Sequence, residues 1–171
     1  MLLDRDGEKA DGWTRAEGAA IDNIDRAIVA WDALSDALAA RRDGQSLGVA
    51  VPNTVTAAAL APYLDAVALV AVSFPAFSDG RGFSIAKALR NAGYTGTLRA
   101  NGPLIPDQFA YELACDFDEV ELPEASAARQ SPEQWRRAAR WPGGAYQRGY
   151  RREASILDQR RAAREAAETR G

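Results

Sequence analysis

The side chains best suited to chemistry lie close together between residues 74 and 84. Within this stretch, Asp79, Gly80, Arg81, Gly82 and Ser84 combine a carboxylate, a guanidinium, a hydroxyl and two glycines. Arginine binds oxyanions through paired hydrogen bonds, and the first N–H groups of a helix also attract negative charge. The glycines allow backbone angles that other residues avoid. The stretch therefore predicts a receptor for a small oxyanion, in which Asp79 orients Arg81.

Residues from neighbouring loops are expected to complete this site. In an open parallel sheet, ligands collect where the strands end at their carboxyl edge. Arg99 would be the second anion-binding arginine, and Asp79 and Asp107 would be the candidate proton acceptors if the site is catalytic. The expected supporting residues are Asn53, Phe77, Asn101, Gln108, Tyr146 and Gln147.

The same stretch also has a purely structural explanation, which the sequence leaves open. Asp79 could cap the following helix, Arg81 could pair with Asp79 or with Glu112, and Phe77 could fill the edge of the core. Cys115 lies among apolar neighbours and is expected to be a buried, inert thiol. From the residues alone, the structural explanation has the greater weight.

The composition excludes several catalytic classes. The chain of 171 residues has no histidine and one cysteine, so it lacks Ser-His and Cys-His pairs, an internal disulfide and a cysteine-rich zinc site. No P-loop and no G-x-G-x-x-G fingerprint are found in the sequence. No metal site is expected and no cofactor is evident. The sequence leaves a bound flavin or nicotinamide open. An oxidoreductase would need such a cofactor, because the chain shows no redox centre of its own.

Positioning the candidate residues requires a sheet whose strands end at one edge. Largely apolar runs at 46–51 and 66–74 predict two strands, residues 97–100 and 119–122 are expected to form two more, and helical patterns separate them. This alternation predicts an α/β fold: a small parallel sheet of about four strands built from successive β-α units, with N- and C-terminal helices.

The two ends of the chain have their own expected organisation. Residues 1–20 are expected to be a loose N-terminal segment, and residues 21–147 a single α/β domain that opens with an amphipathic helix at 21–42. Ser131 is the expected cap of a later helix. Residues 148–171 are expected to form a charged C-terminal helix or arm.

The net charge of -3 conceals an acidic body and a basic tail. Residues 1–124 carry 10 basic and 19 acidic side chains, a net of -9, whereas residues 125–171 carry 11 and 5, a net of +6. Acidic residues interrupt the basic tail, so a nucleic-acid partner is not expected. No membrane span or export signal is expected either, which favours a cytoplasmic protein. The oligomeric state stays open.

Four groups of spaced residues resemble one known family. They are Phe74-Pro75-x-Phe77-x-Asp79-Gly80-Arg81-Gly82-Phe83-Ser84, Tyr94-x-Gly96-x-Leu98-Arg99-Ala100-x-Gly102, Asp107-Gln108 and Cys115-x-Phe117-Asp118. Over about residues 47–147 the chain resembles the bacterial domain-of-unknown-function family 934. Its members are commonly labelled oxidoreductases of sulfite reduction, and they are associated with assimilatory sulfate-reduction genes beside the sulfite reductase hemoprotein. The chain departs from the family pattern at Pro103 and Asp116.

The residues and the resemblance together leave three functional hypotheses. The first is an accessory protein of assimilatory sulfate or sulfite reduction that binds a small oxyanion, sulfite reductase or another enzyme of sulfate assimilation, or both. The second is a cofactor-dependent oxidoreductase that uses the same pocket. The third is a structural adaptor that docks through its basic C-terminal helix.

Overall fold

The computed structural model describes residues 1–139, which form one eight-stranded sheet with helices packed against it. Tyr146, Gln147 and the expected arm at 148–171 lie outside the described residues. The strands are β1 (Leu2–Asp4), β2 (Gly7–Lys9), β3 (Thr14–Arg15), β4 (Arg26–Ala30), β5 (Ser46–Val51), β6 (Leu69–Ser73), β7 (Thr97–Asn101) and β8 (Glu119–Glu121). The α-helices are α1 (Leu34–Ala40), α2 (Ala57–Leu60), α3 (Arg81–Asn91), α4 (Pro106–Ala114), α5 (Glu124–Ala127) and α6 (Pro132–Ala139). Short 3₁₀ turns follow β4 and α2.

The sheet has the strand order β2-β1-β8-β7-β6-β5-β4-β3. Strands β3 to β8 are parallel to one another and follow in chain order, whereas β1 pairs antiparallel with both β2 and β8. The α/β class and the parallel succession are therefore confirmed. The expected number of strands was wrong, because the sheet has eight strands rather than four.

The sheet curls so strongly that its two edges approach each other. Its edge strands, β2 and β3, are joined by the four residues 10–13. Five residue steps span at most about 17 Å, whereas the edges of a flat eight-stranded sheet would lie about 34 Å apart. Arg15 on β3 also contacts Glu121 on β8, with 2.7 Å between Nη2 and Oε2. The curled sheet therefore has a concave face and a convex face.

The convex face carries the main core. Side chains such as Val49, Val70 and Leu98 pack there with residues from the helices, including Leu89 and Phe109. The concave face has a much smaller apolar cluster, formed by Ile28, Leu69 and Ala71 with Trp13 and Ala50 against it. Side chains on opposite faces alternate along a strand, so each central strand serves both faces.

Two expectations for the first 42 residues were wrong. Residues 1–20 contribute the three strands β1, β2 and β3 instead of forming only a loose segment. These strands have two or three residues each, and β1 pairs with β8, which lies near the other end of the described residues. The expected helix at 21–42 is divided into β4 and α1. The run Ala27-Ile28-Val29 is buried on both faces of the sheet, and this burial outweighs the helical spacing of the apolar residues.

The cap of the last described helix was predicted correctly. The Gln134 N–H donates to Ser131 Oγ at 3.4 Å, and the Ser131 N–H donates to Gln134 Oε1 at 2.9 Å. This reciprocal pair satisfies backbone donors at the start of α6. None of the helices in residues 1–139 is long and apolar enough to cross a lipid bilayer.

Candidate functional site

The loop between β6 and α3 presents an exposed ion pair. Arg81 donates to Asp79 twice, from Nε to Oδ1 at 3.0 Å and from Nη2 to Oδ2 at 2.6 Å. The Arg81 N–H also donates to Oδ1, at 3.3 Å. Of the two pairings considered for Arg81, the structure has the one with Asp79. The Arg81 side chain remains 60% exposed.

The ion pair determines the chemistry open to Asp79. Hydrogen bonding from the Arg81 guanidinium holds the pKa of the Asp79 carboxyl well below its ordinary value, and the neighbouring Asn53 side chain acts in the same direction. A carboxylate with so low a pKa is a weak base, so Asp79 is poorly suited to accept a proton near neutral pH. It instead supplies the negative charge that the start of α3 attracts.

The glycines of this loop do not adopt left-handed backbone angles, and only Gly82 is required for packing. Gly80 has a φ of -78°, and neither it nor Gly82 is among the residues of positive φ. A Cβ on Gly82 would overlap the ring of Phe74, so α3 can approach this ring only with a glycine there. Ser84 is exposed on α3. The expectation about the backbone at Gly80 and Gly82 was therefore wrong.

Helix α4 also contacts this loop. Gln108 Nε2 donates to the backbone oxygen of Phe77 at 2.7 Å. Tyr111 lies one helical turn after Gln108 and packs edge-on against Phe83, with 4.8 Å between the ring centroids. Phe77 and Tyr111 are 52% and 58% exposed. Asp107 is also exposed, in the first turn of α4.

We call the group formed by Phe77, Asp79, Arg81, Gln108 and Tyr111 the loop surface. Two buried polar atoms belong to this region. Asn53 is buried, and its Nδ2 makes no hydrogen bond of ordinary geometry within the described residues, although it lies near Asp79. Oε1 of Gln108 is likewise buried without a partner there.

Arg99 does not join the loop surface. It lies on the concave face, is 1% exposed, and contacts three carboxylates. Asp11 binds it through both oxygens, at 2.7 and 2.9 Å, while Glu119 and Glu121 accept at 2.8 and 3.0 Å. Burial opposes its charge, but the hydrogen bonds to these carboxylates raise its pKa. The two arginines predicted to hold one anion are therefore not brought together.

The partners of Arg99 were missed by the sequence analysis. Asp11 is 88 residues away in the chain, and it belongs to a segment that was expected to be loose. A signal was nevertheless present, because Arg99-x-Asn101 and Glu119-x-Glu121 alternate polar residues along predicted strands. Such alternation indicates a polar sheet face.

A carboxyl group without a partner lies within α4. Glu112 is fully buried, and neither of its carboxyl oxygens has a hydrogen-bond partner in the described part of the chain. Burial raises its pKa to about 8, so it is mostly protonated at neutral pH. Cys115 is buried as expected, and burial raises the pKa of its thiol. Within residues 1–139 no cluster of three or more acidic or cysteine side chains could hold a metal ion.

One comparison with known proteins identifies the family. The model of a bacterial protein family of unknown function, DUF934, matches residues 48–157, which is more than half of the chain. The chain belongs to the DUF934 family. No curated protein and no solved structure matches it significantly.

The DUF934 match covers the whole loop surface but only some of the charged residues on the concave face. It begins at Gly48 in β5 and so includes every residue of the loop surface. It also includes Arg99, Glu119 and Glu121. Asp11 and Arg15, which close the concave face from the other side, precede the matched residues.

Proposed function

We propose that this DUF934 protein is a cytoplasmic accessory protein of assimilatory sulfite reduction that binds the sulfite reductase enzyme through the loop surface. The observation that supports this proposal is the exposure of two aromatic side chains beside a preformed ion pair. Phe77 and Tyr111 are the large apolar side chains exposed in the described residues. The pathway is the one that the family resemblance implies.

The physical case for a docking surface depends on composition and preorganisation. Aromatic residues and arginine contribute most of the energy at protein interfaces. Asp79 already holds the Arg81 guanidinium, and Gln108 already holds the Phe77 backbone, so both groups lose little conformational freedom when a partner binds. Tyr111 is likewise supported by Phe83.

The oxyanion form of the proposal has less support from the geometry. An anion at Arg81 would compete with the carboxylate of Asp79, and Arg99 is occupied by three carboxylates. Exchanging Asp79 for asparagine should free the guanidinium. We therefore expect sulfate to raise the melting temperature of Asp79→Asn more than that of the wild type. An equal response of the two proteins would show that the guanidinium of Arg81 is not the anion receptor.

The docking proposal is tested by measuring the affinity of the full chain for purified sulfite reductase. We expect Tyr111→Ala and Arg81→Ala each to weaken binding about tenfold or more, as at interface hot spots. Arg42→Ala is the matched control, because Arg42 is exposed and precedes β5. It therefore lies near the amino ends of the parallel strands, whereas the loop surface follows their carboxyl ends. This variant should bind as the wild type does.

Two results would contradict the proposal. The first is absence of binding between the wild-type chain and sulfite reductase, which would reject the assigned partner. The second is binding that is unchanged in Tyr111→Ala and Arg81→Ala, which would reject the loop surface. Melting temperatures of all variants distinguish a lost contact from a lost fold.

A further inference from the structure

The concave face carries a row of three polar side chains where the parallel strands end. Ser73 is in register with Asn101, and Asn101 is in register with Glu121, on the adjacent strands β6, β7 and β8. Residues in register on neighbouring strands lie about 5 Å apart and point to the same face. Arg15 reaches Glu121 from β3, across the curled sheet. We call these four residues the concave row.

The concave row is the part of the concave face that solvent reaches, and we call this solvent-accessible part the recess. Ser73, Asn101 and Glu121 are partly exposed and Arg15 is exposed, although the first three lie on interior strands of the sheet. The residues two positions earlier on these strands, Ala71, Arg99 and Glu119, are only 1%, 1% and 4% exposed. Solvent therefore reaches the concave face as far as the row and stops at the level of Arg99.

Several polar groups of the row are available to a ligand. The hydroxyl of Ser73 and the carboxamide of Asn101 make no side-chain hydrogen bond within residues 1–139. Arg15 uses Nε and Nη2 for Glu121 and has no partner for Nη1 there. Glu121 accepts from Arg15 and Arg99, but a carboxylate can accept about four hydrogen bonds. The row thus offers three kinds of donor beside one carboxylate.

The charges around the recess nearly cancel. The network on this face contains three cations, Lys9, Arg15 and Arg99, and four carboxylates, Asp4, Asp11, Glu119 and Glu121. A simple anion would meet the carboxylates, and a simple cation would meet the arginines. A molecule that carries both charges on neighbouring groups would satisfy the row without leaving either sign unpaired.

We propose that the recess binds a free α-amino acid as its zwitterion. The carboxylate of the ligand accepts hydrogen bonds from Arg15 Nη1, the Asn101 amide and the Ser73 hydroxyl. The ammonium group donates to Glu121. This site is separate from the loop surface, which does not share a residue with it, and so the inference does not depend on the proposed partner.

The test compares four probes on the full chain: glycine, acetate, methylammonium and sulfate. Binding is followed by the side-chain amide signal of Asn101 in two-dimensional NMR and by the melting temperature. We expect glycine to shift this signal. It should also bind at least about tenfold more tightly than acetate or methylammonium, each of which carries only one of its two charged groups. No response to glycine at about 10 mM, or equal binding of acetate, methylammonium or sulfate, would overturn the proposal.

Variants locate the binding. Asn101→Ala and Ser73→Ala remove side chains that make no hydrogen bond in the described residues, so the fold should persist. We expect each variant to weaken glycine binding about tenfold, as for a hydrogen bond to a charged group. Asn91→Ala, at the exposed end of α3, is the matched control and should bind normally. Unchanged affinity in Asn101→Ala and Ser73→Ala would place the ligand elsewhere and refute the assignment.

Discussion

The buried carboxyl group of Glu112 should make the protein less stable as the pH rises. In the unfolded chain this group ionises near its ordinary pKa of 4.5, whereas burial in the folded chain raises the pKa to about 8. Between these values the folded state holds a proton that the unfolded state has lost. The free energy of unfolding therefore falls as the pH rises from 4.5 to about 8 and then stops falling on this account.

Glu112→Gln removes the ionisation and keeps the shape of the side chain. From pH 4.5 to 7 is about 2.5 units at about 1.36 kcal/mol per unit, which is about 3 kcal/mol. The variant should therefore be more stable than the wild type by about 3 kcal/mol at pH 7 and about equally stable at pH 4. Both proteins bury a neutral polar group at pH 4, so that cost cancels in the comparison.

Urea denaturation at several pH values measures this difference. Tryptophan fluorescence is a suitable signal, because Trp135 is buried against Phe109 on the same helix as Glu112. Glu17→Gln is the control, because it makes the same exchange at an exposed position. If Glu112→Gln is instead less stable than the wild type at pH 7, the carboxylate is charged and has a partner, and the reasoning fails.

Two further stability predictions concern the concave face and the loop. Asp11→Ala should lower the free energy of unfolding by about 2 to 3 kcal/mol, because it leaves the buried Arg99 with one carboxylate fewer. Urea denaturation measures this change. A change near zero would contradict the closure of the sheet by this pair. Gly82→Ala should cost about 1 to 3 kcal/mol through overlap with the Phe74 ring, whereas Gly80→Ala should be nearly neutral. Thermal unfolding compares these two variants, and equal melting temperatures would refute the packing argument.

The central strands and the Asp79-Arg81 pair could be predicted because their signals are local. The run 66–74 is apolar except for Ser73, as expected for a strand that is covered on both faces, and it contains β6. Asp79 and Arg81 lie two residues apart, so their pairing needs only a turn and the start of a helix. The exposure of Phe77 had no such signal, because it depends on how the loop lies over α4.

The first three strands could not be predicted because each is too short to leave a pattern. A strand of two or three residues has too few side chains to show alternation, and the pairing of β1 with β8 joins residues more than 100 positions apart. The division of 21–42 into β4 and α1 had a weak signal in Ala27-Ile28-Val29. That run favours a strand only when a neighbouring strand is available to cover it.

Sequence alone determined the α/β class, the order of the β-α units and the position of the Asp79-Arg81 loop, because each follows from periodicity or from contacts between near neighbours. Tertiary structure alone decided that the sheet curls, that residues 10–13 join its edges, and that Arg99 faces Asp11, Glu119 and Glu121. These features depend on contacts between residues 20 to 106 positions apart. These contacts stabilise the protein only when the whole sheet assembles, because an isolated segment buries none of these charges.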